Sequence, residues 1–122
     1  MMKSILLLLL GFIGLITTSC NDNKAKGEVK IGNQIWSATN LDVEKFNNGD
    51  LIPECKTDLE WYTASKSGKP AWCHYANNIK NGEKYGKLYN FYAIKDPRGL
   101  APKGWHIPSK EEWIVLSNYL GG

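Results

Sequence analysis

An apolar segment at the N-terminus limits how much of this chain can belong to a folded domain. Residues 5–16 are apolar apart from two glycines, and Lys3 places a positive charge before them. The segment is shorter than the roughly 20 residues that a helix needs to cross the hydrocarbon core of a bilayer. A short apolar run behind a positive charge is typical of a signal peptide. We therefore interpret residues 1–19 as a signal peptide and expect the folded part to follow it.

The residues that end this segment resemble the lipobox of bacterial lipoproteins. Small side chains precede Cys20 directly, although Thr17 stands where leucine is more usual. The resemblance implies that the Cys20 thiol is lipidated and that the mature chain begins there. Several acyl chains anchor a protein firmly, whereas one chain (myristate or palmitate) binds marginally. The sequence predicts a lipid-anchored protein of the cell envelope, at the outer membrane, facing the periplasm or the surface. The alternative is a secreted protein with an incidental cysteine.

The remaining residues divide into a tether and one small domain. Residues 20–27 are polar and show no apolar periodicity, so they predict a flexible tether. Residues 28–122 are enough for a single small domain. The formal net charge of the chain is +3, and charges of both signs are interspersed without a basic run. This pattern argues against a nucleic-acid partner.

The cysteine count leaves a pair inside the predicted domain. If Cys20 carries lipid, Cys55 and Cys73 remain. A compartment outside the cytosol permits a disulfide between them. Two unpaired thiols are the second reading. A zinc site that also uses His74 and His106 is the third, but the spacing of the four residues matches no common zinc motif. We predict no metal or cofactor.

Periodicity and turn residues predict the first elements of the domain. Residues 28–36 alternate around a Gly32-Asn33 turn, which favours a β-hairpin. The segment Asp58–Lys66 predicts a short helix with Asp58 as its N-cap. Residues 71–75 read as a strand and residues 77–82 as a loop.

The second half of the domain ends in a helix with strong sequence signals. Residues 88–95 are apolar on more than one side, and we predict a short helix there. Ser109 and Glu112 have the spacing of a capping box. The acidic residues of this segment therefore have a structural role at the start of the helix, and we do not interpret them as a catalytic pair. Three apolar side chains fall on one face of this helix: Trp113, Leu116 and Leu120.

A series of motifs in a fixed order resembles one known family. The motifs are Ile-Gly-Asn-Gln-Ile-Trp at 31–36, Phe-Asn-Asn-Gly-Asp at 46–50, Pro-Ala-Trp-Cys-His-Tyr at 70–75, Tyr-Gly-Lys-Leu-Tyr-Asn at 85–90 and Gly-Trp-His-Ile-Pro at 104–108. They are similar to the Fibrobacter succinogenes major paralogous domain, which occurs in envelope lipoproteins of Bacteroidetes-type bacteria. The likeness runs over essentially all of residues 28–122.

The resemblance carries expectations about the fold. The stretch 104–113 also looks like an element of formylglycine-generating-enzyme-like domains, which have a C-type-lectin-like fold. This implies an α+β, C-type-lectin-like architecture. The family domain usually continues beyond the Leu-Gly-Gly at 120–122, so residues 28–122 are expected to be its N-terminal portion and the architecture truncated.

The resemblance does not supply an established activity. The leading interpretation is a binding or adhesion module for a glycan or a surface protein, with carbohydrate as the expected ligand class. The chain contains five tryptophans, six tyrosines and three phenylalanines. These rings form either a hydrophobic core or a face on which a ligand stacks. Trp72, Tyr75 and Trp105 are the stacking candidates, with core packing as the alternative for each. The competing interpretation is a non-functional or incomplete piece of a longer protein. We predict no enzyme, because no catalytic constellation is recognisable.

Overall fold

The structure is a computed structural model of the protein, and it describes residues 27–122. The predicted signal peptide, the lipidation site Cys20 and all of the tether except Gly27 lie outside the described residues. Within residues 27–122, no helix is both long and apolar enough to cross a membrane.

The described chain opens with the predicted hairpin. Strand β1 (Glu28–Ile31) pairs antiparallel with strand β2 (Gln34–Ser37). Gly32 has a φ of +59° in the turn, a backbone conformation that glycine adopts without strain. The prediction of a hairpin around Gly32-Asn33 is therefore confirmed.

Helix α1 (Asp58–Lys66) has the predicted bounds but a different N-cap. The hydroxyl of Thr57 accepts a hydrogen bond from the backbone N–H of Glu60, and the Glu60 carboxylate accepts one from the Thr57 N–H. This reciprocal pair is a capping box. The prediction that Asp58 caps the helix is wrong, because Asp58 lies in the first turn. Its carboxylate there accepts a hydrogen bond from Asn77.

A second small sheet lies at the centre of the domain. Strand β3 (Trp72–Cys73) pairs antiparallel with strand β4 (Leu88–Tyr89). Between them the chain forms two 3₁₀ turns, Tyr75–Asn77 and Ile79–Asn81, and helix α2 (Gly82–Tyr85). The strand predicted over residues 71–75 is thus two residues long, and the loop predicted at 77–82 is mostly helical turns.

The helix predicted over residues 88–95 forms only in its second half. Residues 88 and 89 belong to β4, and helix α3 (Phe91–Ile94) starts after Asn90. Asn90 is the N-cap, and its side-chain oxygen accepts a hydrogen bond from the Ala93 N–H. The prediction was wrong for the first half because Asn90 caps the helix in the middle of the apolar run. Apolar periodicity alone does not reveal such a cap.

Helix α4 (Lys110–Tyr119) has the predicted capping box between Ser109 and Glu112. The face that Trp113 and Leu120 share is largely open to solvent, because Trp113 is 54% exposed and Leu120 67% exposed. The Trp113 ring lies against Trp36 of β2, with 4.9 Å between ring centroids. We call the surface where Gln34 and Trp36 of β2 meet α4 the hairpin–helix face.

Strand β3 separates two buried clusters. Trp72 packs in the larger one, the main core, whose other members are Val43, Phe46, Ile52, Ala93 and Leu100. Ala71 and Cys73 pack with Cys55 in a smaller cluster that the partly buried Trp61 and Ala64 of α1 cover. This division follows from the alternation of side chains across a strand. Short helices combined with two antiparallel two-stranded sheets make the fold α+β, as predicted at that level.

Candidate functional site

An open groove of about 590 Å³ lies beside the β3–β4 sheet. Its volume is within the usual range for small-molecule sites, about 300–1,000 Å³. The residues that line it come from three parts of the chain: Asn40, Leu41, Tyr75, Tyr85, Lys87 and Leu88. We call it the tyrosine groove, because two tyrosine rings are its largest exposed apolar surfaces.

The two tyrosine rings contact each other edge to face. Their centroids are 5.7 Å apart with an interplanar angle of 69°. Tyr75 is 57% exposed and Tyr85 40% exposed, so both rings present surface to solvent. Neither phenol hydroxyl has a hydrogen-bond partner within residues 27–122. The pair therefore offers exposed aromatic surface to a ligand.

The backbone after Tyr75 is strained. Ala76 and Asn77 have φ values of +54° and +51°, which side chains other than glycine seldom adopt. Two hydrogen bonds of 2.7 and 2.8 Å hold the turn, from the Asn77 amide to Asp58 and from the Asn81 amide to the Tyr75 carbonyl. Such strain persists only where surrounding contacts enforce it, and it is concentrated at functional sites. Here it fixes the direction of Tyr75.

The second tyrosine is fixed by a close approach of two backbone segments. The Asn40 side-chain amide donates a 3.1 Å hydrogen bond to the Tyr85 carbonyl. The next residue, Gly86, has a φ of +65°, and a Cβ at this position would lie 2.7 Å from the Leu41 carbonyl oxygen. Only glycine fits both conditions. At Tyr85 and Gly86, the end of α2 therefore lies in close contact with the loop after β2.

The lysine that lines the groove, Lys87, is already paired. The Lys87 ammonium contacts the Asp42 carboxylate and lies 3.4 Å from that of Glu44, and its side chain is only 7% exposed. It also lies 4.7 Å from the centroid of the Trp72 ring. A positive charge that faces two carboxylates has little net attraction for an anion. The charge of Lys87 is thus balanced within the domain, and a second ammonium, that of Lys84, lies 4.9 Å from the centroid of the Tyr85 ring.

The structure separates the three predicted stacking residues. Tyr75 lines the tyrosine groove. Trp72 is 5% exposed and its indole N–H donates a 2.9 Å hydrogen bond to the Ile52 carbonyl, so its ring is enclosed in the main core. Trp105 is half-buried in the segment before α4 and does not line the groove. Sequence reasoning missed Tyr85, which stands beside the conformationally required Gly86.

The residues of the hypothetical zinc site do not assemble. The His106 Nε2 atom lies 2.7 Å from the Glu112 carboxylate in the capping region of α4. In the described range 27–122, no group of three or more His, Cys, Asp or Glu side chains is placed to hold a metal ion. Cys55 and Cys73 are buried thiols in the smaller cluster.

Comparison with known proteins identifies the family. Residues 29–122 match the Fibrobacter succinogenes major domain, which is most of the chain. The chain therefore belongs to this family. No curated protein and no solved structure matches it.

Proposed function

We propose that this member of the Fibrobacter succinogenes major domain family is a lipid-anchored envelope protein whose domain binds carbohydrate in the tyrosine groove. The observation that carries the proposal is the exposed Tyr75–Tyr85 pair, held by a strained turn on one side and a required glycine on the other. Rings that are rigid before binding lose little conformational entropy when a ligand arrives.

The chemistry of the groove favours a sugar among small ligands. The C–H faces of a pyranose ring pack on aromatic rings, while its hydroxyl groups need polar partners. Tyr75 and Tyr85 supply ring faces, and their hydroxyls supply polar contacts at the same place. The internal pairing of Lys87 with Asp42 and Glu44 supports a neutral sugar.

The lipid anchor and the finer architecture belong to the same proposal. Small residues before Cys20 and the short apolar segment at 5–16 support lipidation of Cys20 and cleavage before it. A tether of residues 20–27 would hold the groove away from the membrane. We extend the α+β fold to a C-type-lectin-like architecture on the likeness of residues 104–113 to formylglycine-generating-enzyme-like domains.

Replacing either groove tyrosine should abolish most of the carbohydrate affinity. A glycan array probed with residues 21–122 should show binding to a limited set of neutral glycans. For the strongest of them, Tyr75→Ala and Tyr85→Ala should each weaken the Kd at least about tenfold, since a lost aromatic stacking contact of about 1.4 kcal/mol corresponds to that factor. Titration calorimetry measures the change.

The matched control is Tyr62→Ala. Tyr62 is a tyrosine of α1 with a similar exposure of 62%, and it does not line the groove. Its replacement should leave the Kd within about twofold. An array without any glycan bound by the wild-type protein would sink the carbohydrate proposal. Equal losses in all three variants would place the site elsewhere.

Removing the predicted lipid attachment should abolish acylation of the protein. With Cys20→Ser, cells fed labelled palmitate should give an unlabelled protein, because the thiol that takes the lipid is absent. Ser19→Ala is the control, since it keeps a small residue before Cys20 and should remain labelled. Mass spectrometry that finds an unmodified Cys20 in the mature wild-type protein would contradict lipidation.

A further inference from the structure

We propose that Cys55 and Cys73 form a disulfide that ties the segment before α1 to strand β3. This inference concerns the covalent structure of the domain and does not depend on the ligand of the tyrosine groove. It rests on the backbone register of two neighbouring segments, on the packing of both sulfur-bearing side chains in one cluster and on the lack of a metal-binding set of ligands around them among residues 27–122.

The backbone hydrogen bonds place the two cysteines opposite each other. Glu54 and Trp72 form a parallel bridge. Trp72 donates a 2.9 Å hydrogen bond to the Pro53 carbonyl and accepts a 2.8 Å hydrogen bond from the Cys55 N–H. One residue further along both segments, this register pairs Cys55 with Cys73.

Residues opposite each other on paired strands have suitable spacing for a disulfide. Neighbouring strands lie about 4.8 Å apart, which is within the range of about 4.4–6.8 Å between the Cα atoms of disulfide-bonded cysteines. Side chains at opposite positions also point to the same face of the pair. The structure agrees, because Cys55 and Cys73 both pack in the smaller cluster while Trp72 points to the main core.

The surroundings of Cys55 and Cys73 favour a disulfide between them. Both cysteines are buried, at 5% and 7% exposure, and Ala71, Trp61 and Ala64 complete the cluster. Within residues 27–122 no set of ligands that could bind a metal forms around them. A free buried thiol packs as a small apolar group, but in the envelope location proposed above, on which this inference rests, two of them in register encounter oxidising conditions.

The timing of the reaction follows from the burial. Burial raises the pKa of the Cys55 thiol, and the carboxylates of Glu60 and Glu54 raise it further. Burial, with the neighbouring Cys55, also raises the pKa of Cys73. The thiolate is the nucleophile in exchange, so both cysteines react poorly once the cluster has closed. We therefore place bond formation before or during closure of the cluster.

The reaction requires a disulfide donor, such as an envelope thiol oxidant or oxidised glutathione. One cysteine thiolate attacks a sulfur of the donor, its S–S bond breaks, and one donor thiolate leaves. The other cysteine thiolate then attacks the mixed disulfide and displaces the second donor thiolate. The two cysteines lose two protons and two electrons in total, and the donor leaves as two thiols. The bond closes a loop that contains all of α1.

Peptide mapping of the full chain from the envelope tests the proposal. Cells are quenched in acid, free thiols are alkylated, and the protein is digested with trypsin without reduction. Cleavage after lysine gives peptides 46–56 and 67–80, since Lys69 precedes Pro70 and resists cleavage. We expect these peptides to be recovered linked, two hydrogens lighter than their sum, and to separate on reduction.

Two outcomes would overturn the disulfide. One is recovery of both peptides alkylated from an envelope whose other disulfide proteins are oxidised. The other is recovery of either peptide joined to Cys20 or glutathione while the 46–56 and 67–80 pair is absent. Neither outcome bears on carbohydrate binding, which the tyrosine variants test separately.

A stability measurement gives an independent readout. Reduction of the wild-type protein should lower its Tm by more than about 10 °C, because the unfolded chain gains the freedom of the opened loop. The Cys55→Ser/Cys73→Ser variant should have a Tm that the reductant does not change. An equal response of the wild-type protein and this variant to reduction would contradict the proposal. If the variant does not fold, the peptide map still decides.

Discussion

Asn90→Ala should lower the free energy of unfolding by about 3 kcal/mol. Asn90 is 5% exposed and is the buried polar residue at the junction of β4 and α3. Its side-chain oxygen accepts hydrogen bonds from the N–H groups of Ala71 and Ala93, at 3.1 and 2.9 Å, and its amide donates to the Lys69 carbonyl at 2.7 Å. Alanine removes all three, and a buried group left without a partner costs about 1–3 kcal/mol. Urea unfolding followed by tryptophan fluorescence measures the loss.

Two variants separate the hydrogen bonds from other effects. Asn90→Asp retains the two acceptor contacts but loses the donor to the Lys69 carbonyl. Its loss of unfolding free energy therefore measures the donor contact, and the loss in Asn90→Ala measures all three contacts. Asn118→Ala is the exposed control on α4 and should change the free energy of unfolding by less than about 0.5 kcal/mol. A change below that value for Asn90→Ala would show that these contacts do not hold the junction.

Phe46→Ala should cost about 3–5 kcal/mol, which is the usual loss for a fully buried phenylalanine. Phe46 is 1% exposed at the centre of the main core. The Arg98 guanidinium lies 4.1 Å from its ring centroid, and hydrogen bonds to Asp96 and Asp50 hold that group in place. Since small domains are often stable by only about 5–15 kcal/mol, this loss is a large share of the total stability. Thermal unfolding by near-UV circular dichroism measures this.

The control for the core is a second phenylalanine. Phe91 begins α3 and is 64% exposed, so Phe91→Ala removes the same atoms from a partly solvated position. Its loss should be below about 1.5 kcal/mol. Similar melting temperatures for Phe46→Ala and the wild-type protein would contradict the assignment of the main core.

Local sequence signals predicted the elements that local contacts determine. The β1–β2 hairpin and the capping box of α4 each depend on a few neighbouring residues, such as Gly32, Ser109 and Glu112. Such contacts can be recognised without knowledge of the rest of the fold. The N-cap of α1 was misassigned by one residue, which is within the usual uncertainty of helix boundaries.

Elements that depend on distant contacts were predicted less well. Residues 88 and 89 form a strand because β3 pairs with them across the domain, and nothing in their own pattern requires it. Trp113 and Leu120 have the spacing of a buried helix face, yet the structure leaves them largely exposed. Helical spacing indicates which side chains share a face, but tertiary packing decides whether that face is covered.

The candidate site was predicted in part. Tyr75 was selected for its residue type and lies in the groove, whereas the structure encloses Trp72 in the main core. The position of Tyr85 beside Tyr75 could not be predicted from the sequence. Two 3₁₀ turns and α2 bring the residues together, and irregular turns leave no periodic signal. Its following glycine was the available clue, since a Cβ there would clash with the Leu41 carbonyl.

Chemical-shift mapping tests the tyrosine groove as a carbohydrate site most directly. A ¹⁵N-labelled sample of residues 21–122 is titrated with the glycan that binds best on the array, and amide shifts are followed to saturation. The largest changes should fall on the groove, at Asn40, Tyr75, Tyr85 and Leu88, and Tyr75→Ala should need at least about tenfold more glycan to reach the same fraction of them. Changes confined to the hairpin–helix face, or equal titration midpoints for the wild-type protein and Tyr75→Ala, would contradict the assignment.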